Sequence, residues 1–325
     1  MSENQNNDSN PSKPEWQLIE KLLQSAQSEK KSTRRWGIFF KLLTFSYLFF
    51  ILAIFVSKQM PSAPGAGVNE GHTALVDVHG VISEAEDASA DNITSGLRAA
   101  FEAENSKSII MRINSPGGSP VQSDYVFNEI QRLKEKHPEK KLYAVITDVG
   151  ASGAYYIAAA ADEIYANPSS IVGSIGVIMG GGFGFEGLMG KLGVERRTVK
   201  AGAHKDLLDP FSPVKGFQQK HMQSMLDGVH EEFINSVKSG RGDRLKDDPL
   251  LFTGLFWNGR DALELGLVDA FGSAGYVARE IIEVEKIVDY TVRPSPVDAI
   301  FDRLGVSIGG TIAQQLGLSS GFKME

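Results

Sequence analysis

The sequence predicts an α/β domain with a mainly parallel sheet and helices on both sides. Three observations support this. From Thr73 onward, short apolar runs rich in β-branched residues alternate with segments of helical period, the pattern of a parallel sheet linked by crossover helices. Several of these runs end directly in glycine-rich turns, and parallel-sheet proteins bind ligands at the carboxyl ends of their strands. Hydrophobic residues make up 42% of the 325-residue chain, at a mean hydropathy of -0.14, enough for a sizeable core despite polar ends.

Taken in order, Met1 to Ser32 is polar and reads as a solvated tail, with a short amphipathic piece at Trp16 to Leu23. Ile38 to Val56 is apolar on every helical face. At 1.5 Å per residue it spans about 28 Å, close to a bilayer core. Lys30, Lys31, Arg34 and Arg35 precede it and only Lys58 follows closely, so the positive-inside rule directs the N-terminus to the cytoplasm and the remainder outside. A cleaved signal peptide is the rival reading; the length of the apolar run favours an uncleaved anchor over 36–57. Residues 58–71, with Pro61, Pro64, Gly65 and Gly67, read as a linker.

Strands are expected at Ala74–Val78, Ser108–Ile113, Leu142–Ile146, Ile164–Ala166, Ile175–Met179 and Glu195–Val199. Helices are expected at Ile93–Ala103, Val121–Lys136 (stopped by Pro138), Tyr155–Ala161, Phe185–Leu192, Val214–Ser239, Asp261–Leu265 and Gly275–Val284. Residues 72–293 thus form the folded domain and 294–325 a C-terminal tail, with a short helix at Val297–Leu304.

Composition excludes several chemistries. There is no cysteine, so disulfides, zinc-thiolate sites and a cysteine nucleophile are ruled out. A net charge of -7, without a broad basic stripe beyond the N-terminal region, argues against a nucleic-acid partner. No paired-histidine spacing supports a metal, Gly180 to Gly184 lacks the Gly-Lys-Ser/Thr ending of a phosphate loop, and no cofactor is indicated.

Four turns can carry chemistry. Asp148-Val-Gly-Ala-Ser-Gly-Ala follows an apolar run and leads into an alanine-rich helix. Ser152 there is either a helix N-cap or a nucleophile presented at the sheet edge, with Gly153 leaving room for a substrate backbone. Asn114-Ser-Pro-Gly117-Gly118-Ser follows an earlier strand, and its glycine N–H groups can point at a developing oxyanion. Ile171-Val-Gly-Ser174-Ile-Gly-Val carries a serine that either orients a partner side chain or satisfies local backbone. Lys200-Ala-Gly-Ala-His204-Lys205-Asp206 offers two candidate bases for a serine, His204 and a lysine made neutral by burial.

These motifs, Asn114–Gly118, Gly150-Ala-Ser-Gly-Ala-Tyr-Tyr156, Gly173–Val177 and Gly202-Ala-His-Lys-Asp206, together resemble the signal peptide peptidase A (SppA, protease IV) family in its short single-domain form. The resemblance covers about Thr73 to Glu285 and the anchor. It implies a crotonase/Clp protease-like fold and a Ser/Lys dyad, with Ser152 as nucleophile, Lys205 as general base and Ser174 holding the lysine amine. Gly118 or Gly117, with Gly153, would form the oxyanion hole. It further implies a homo-oligomeric ring, commonly an octamer, attached to the lipid bilayer of the bacterial inner membrane with the catalytic domain on the periplasmic side. Its substrates would be signal peptides and other hydrophobic peptides left in the membrane. Ala154 departs from the family pattern, where many members have glycine. Rival readings are a protease acting on a partner membrane protein, an acyl-thioester enzyme of crotonase type, and a non-catalytic oligomeric scaffold.

Overall fold

The computed structural model describes residues 35–53, 70–180 and 182–293, together with Trp16, Glu20 and Lys21. The expected polar tail, the linker, the C-terminal tail with its Val297–Leu304 helix, and the end of the anchor beyond Ala53 lie outside the described residues.

Helix α1, Arg35–Ala53, has 19 residues with a mean hydropathy of 1.8 and is exposed along its whole length. By length and composition it is apolar enough to cross a membrane. It belongs to a separate unit of the chain from Ser62–Pro294.

The larger unit is built on one sheet. Its strands are β1 (His72–His79), β2 (Ser106–Ser115), β3 (Leu142–Ala151), β4 (Glu163–Ala166), β5 (Ile171–Gly173), β6 (Phe256–Asn258), β7 (Ala270–Phe271) and β8 (Ile287–Asp289). The order is β6-β5-β3-β2-β1-β8, with β4 also on β3 and β7 on β4. Every pairing is parallel except β5 with β6. Strand β3 changes partner partway. Tyr143–Ile146 pair with β4, and Val149–Ala151 pair with β5.

Alternation along the strands sends Val76, Val78, Met111, Ile113, Ala144 and Ile146 into the main core. Helices α2 (Ala90–Glu102), α3 (Pro120–Lys136), α4 (Gly153–Ala158) and α6 (Gly216–Arg241) contribute the opposing side chains. Leu75, Ile110, Tyr143 and Val145 point to the other face, where Val277 and Ala278 of the short π-helix Val277–Ile281 cover them. Helices therefore lie on both faces, as expected. Ser89 and Ser119 cap α2 and α3, and Pro120 opens α3 where its missing N–H costs nothing.

Two expected strands are absent. Ile175–Met179 has strand composition but forms no ladder, because the chain turns sharply at Ser174 and Ile175; the pairing strand ends at Gly173. Glu195–Val199 is an exposed segment without regular structure, its apolar residues having no sheet edge to join. Helix α5, Glu186–Leu192, forms as expected but buries none of its residues.

One buried ion pair ties α6 to the sheet. The Arg241 side chain is fully buried and forks onto both oxygens of Asp269 at 2.8 and 2.9 Å, with two further bonds to the Gly266 carbonyl. Asp269 also accepts the Ile164 N–H at 2.7 Å. Burial alone would raise the Asp269 pKa; Arg241, the Ile164 N–H and Arg244 overrule it and hold the carboxyl below its usual range. Because the native pKa is depressed, the stabilisation is present above the unfolded value of 3.8 and is lost as pH falls through the native one. Asp269→Asn, which leaves Arg241 buried without its counter-ion, is expected to cost about 3–5 kcal/mol in guanidinium unfolding at neutral pH. The gap from wild type should narrow on acidification below the ordinary carboxylate range. A cost below about 1 kcal/mol would show that the pair does not hold α6.

Candidate active site

Strand β3 delivers Ser152 to the point where the sheet divides. Its backbone has φ 55° and ψ -127°, a conformation that residues with a β-carbon rarely adopt. The turn is held by the Ser152 N–H donating to the Gly173 carbonyl at 2.7 Å and by the Ser152 carbonyl accepting the Tyr156 N–H at 3.0 Å. Ser152 occupies the N-cap position of α4, yet its hydroxyl makes no capping hydrogen bond. The capping explanation for this serine therefore fails, and the strain is left without a structural return.

The Gly117-Gly118 turn lies against this serine. A β-carbon on Gly117, at φ 95°, would stand 2.7 Å from the Gly153 nitrogen and 2.8 Å from Ser152 Cβ. A β-carbon on Gly153 would stand 3.3 Å from the Gly118 nitrogen. The N–H groups of Gly118 and Gly153 thus lie close together beside Ser152, and neither has a hydrogen-bond partner among the described residues. The Gly117 N–H, by contrast, is donated to the buried Ser115 Oγ at 3.1 Å.

A cavity of about 480 Å³ opens at this point. Ser152, Gly118, Gly153 and Ser174 line it together with Tyr156, Phe233 and His230. Ser174 also has positive φ, 52°, and donates its N–H to the Leu255 carbonyl at 2.7 Å. Tyr156 is held in place by stacking on Phe233 at 4.8 Å between ring centres. Its hydroxyl accepts from Ser236 at 2.8 Å and donates to Asp124 at 3.0 Å, and burial pushes its pKa up to about 12.

The candidate bases on the 200–206 loop are not among the residues lining the cavity. Lys205 is exposed, and its ammonium has no ion-pair or hydrogen-bond partner among the described residues. Lys200 is committed to an ion pair with Asp206. His204 packs against the Phe217 ring at 5.1 Å, and its Nδ1 meets the Gln218 amide at 3.4 Å. The structure therefore brings together Ser152, Ser174, Gly118 and Gly153, and leaves Lys205 unpaired on the surface. Sequence reasoning missed His230, Tyr156 and Phe233 as cavity residues. The helical period of Val214–Ser239 does put His230 and Phe233 on one face.

No group of three or more metal-ligating side chains occurs among the described residues. His72, buried on β1, is occupied structurally by the Tyr290 hydroxyl at 2.9 Å and the Glu70 carbonyl at 3.0 Å.

Comparison with known proteins agrees with this layout. Residues 134–288 match peptidase family S49, and residues 76–172 match Clp protease. A protein of Methanocaldococcus jannaschii, provisionally named a protease, is 31% identical over 216 residues, covering 65% of this chain and 68% of that one. An Enterococcus faecium protein, provisionally named signal peptide peptidase SppA, is 29% identical over 265 residues, 78% of this chain and 75% of its own. A Brucella melitensis protein named Na(+)/H(+) antiporter NhaA is 47% identical over 176 residues, 54% of this chain. The chain spans only 24% of that protein's length, so most of it lies outside the matched stretch. With a Clp protease-like α/β fold, these matches and the three glycine-serine turns in place, the chain belongs to peptidase family S49.

Proposed function

We propose that this chain is a membrane-anchored serine endopeptidase that hydrolyses signal peptides and other hydrophobic peptides. The observation that carries the reading is Ser152 itself: a strained serine with an uncapped hydroxyl, facing a cavity beside two unpartnered N–H groups. Family S49 membership and the SppA-named relative support the peptidase chemistry and the substrate class. Helix α1 supports attachment to the inner membrane, with the N-terminus cytoplasmic and the catalytic domain periplasmic.

In this mechanism Lys205, as the general base, takes the Ser152 proton as Oγ attacks the peptide carbonyl carbon. The N–H groups of Gly118 and Gly153 receive the oxyanion. The lysine proton passes to the leaving amine as the C–N bond breaks, giving an acyl-enzyme. Water then attacks the ester, the lysine takes its proton, and collapse releases the acid and restores Ser152. Ser174, lining the same cavity, would hold the lysine amine. Since Lys205 lies outside the cavity lining, it enters either by closure of its own exposed loop or from the loop of a second copy. An oligomeric ring, an octamer in the family pattern, is favoured by the apolar side chains this region leaves in water, among them Ile178 at 88%, Phe183 at 80% and Val199 at 100% exposure.

Ser152→Ala and Lys205→Ala should each lower kcat on an apolar peptide by about 10⁴-fold. Full activity in Ser152→Ala would refute the nucleophile, and an active Lys205→Ala beside a dead His204→Ala would move the base to histidine. Mixing Ser152→Ala with Lys205→Ala subunits separates the two routes for the lysine, since recovered hydrolysis requires it to cross between copies. Ser152→Gly should be inactive yet more stable by about 1 kcal/mol, the relief of positive-φ strain exceeding the entropy cost of glycine. Chemical denaturation that finds it less stable would remove the strain argument. Gly117→Ala should lose peptide hydrolysis, because its β-carbon displaces Ser152 and Gly153; retained hydrolysis would show that the two turns are not rigidly apposed.

A further inference from the structure

We propose that His230 is a positioning residue that holds one wall of the Ser152 cavity in its open form, an inference resting on the reading of Ser152 as the nucleophile. The wall is the chain that leaves β5. It passes through Gly173 at φ 101° and Ser174 at φ 52°, then closes a tight turn in which the Gly176 N–H donates to the Ser174 carbonyl at 2.9 Å. Beyond Gly176 the chain is unsupported: Val177 to Gly180 make no backbone hydrogen bond among the described residues. The turn is therefore the last fixed point of a wall that otherwise stands free.

Four contacts fix it. The Ser174 N–H is bound to the Leu255 carbonyl, and the Ile175 side chain is fully buried in the main core. Gly176 lies against Gly254, so closely that a β-carbon on Gly176 would stand 2.8 Å from Gly254 Cα. The fourth is the only one supplied by a polar side chain: His230 Nε2 donates to the Ile175 carbonyl at 3.1 Å. The donor in that bond is the Nε2–H, since a carbonyl oxygen can only accept.

The donor sits on a rigid element. Helix α6 has 26 residues, and the face that presents His230 also carries Phe233, stacked on Tyr156, and Ser236, bonded to the Tyr156 hydroxyl. One helix face thus sets both the wall, through His230, and the Tyr156 side of the cavity. Freed from His230, the Ile175 carbonyl and the turn could rotate. Ser174 and the unpaired stretch from Val177 would then lose their placement relative to Ser152. Such an effect acts through the backbone, so His230 is not assigned contact with the reacting atoms.

The test uses the full-length protein in detergent with a fluorogenic apolar peptide. His230→Leu removes the donor while keeping bulk; His230→Gln keeps an N–H donor able to reach the same carbonyl. The expected result is a loss of about tenfold in kcat/KM for Leu, the scale of one hydrogen bond, and retention within about threefold for Gln. Amide hydrogen exchange over 174–180 should accelerate in the Leu variant and stay near wild type in the Gln variant, with β1 to β3 unchanged in both. Wild-type activity and exchange in His230→Leu would overturn the proposal. So would a folded His230→Gln as impaired as Leu, since the imidazole itself would then be required; this arm decides the matter even if the Leu variant fails to fold. Ser152→Ala in the same assay keeps the two readings apart: if it retains hydrolysis the nucleophile is wrong, while exchange still reports on the His230 bond.

Discussion

The change of partner along β3 is the constraint on which the site depends. Up to Ile146 the strand is paired with β4, and from Val149 it is paired with β5, while β2 runs along its other side. Between the two halves the ladder must open. The gap is stitched by Ser170, whose hydroxyl bonds the Ile146 carbonyl at 3.3 Å and also the Thr147 carbonyl. A sheet that divides at the carboxyl ends of its strands leaves a crevice there, the place where open α/β sheets bind ligands. Ser152 is the first residue beyond the end of that strand, so its location follows from where β3 runs out.

The same division accounts for the strain at two of the four non-glycine residues with positive φ among the described residues. Ser152 and Ser174 both have positive φ, and they follow the last paired residues of β3 and β5, Ala151 and Gly173. The Ser152 N–H bound to the Gly173 carbonyl carries the pairing one step past the ladder and locks the two turns together. Backbone strain of this kind persists only where the surroundings over-determine it. Here they do: β3 is buried between neighbours, α4 packs its fully buried alanines behind the turn, and a close approach of Gly240 on α6 to the Ala159 carbonyl seats that helix on α4.

Much of this was legible in the sequence, and the exceptions have physical causes. Strands β1 to β4 announce themselves as apolar runs because both of their faces are covered. The strands β6, β7 and β8 have two or three residues each and no period to detect. Ile175–Met179 misleads because β-branched composition reports a preference for a packed surface rather than pairing, and one tight turn at Ser174 removes the pairing. Ser152, Ser174 and the glycine turns could be found, since small residues directly after strands have few other uses. Which of the two glycines keeps a free N–H could not, because that depends on a single bond from Gly117 to Ser115. His230 went unnoticed for a related reason: a histidine in a long amphipathic helix looks like any partly buried one until the opposite wall is known. The lysine is the reverse case, recognisable by motif and yet exposed and outside the cavity.

The central claim is that the strained serine at the end of β3 is the nucleophile. The most direct measurement is peptide mapping by mass spectrometry after reaction of the full-length protein with a fluorophosphonate. The account predicts one phosphonyl adduct, on Ser152, with Ser174 unmodified and peptide hydrolysis lost in step with labelling. An adduct on another serine that tracks the loss of activity, or undiminished hydrolysis by protein fully labelled at Ser152, would contradict it.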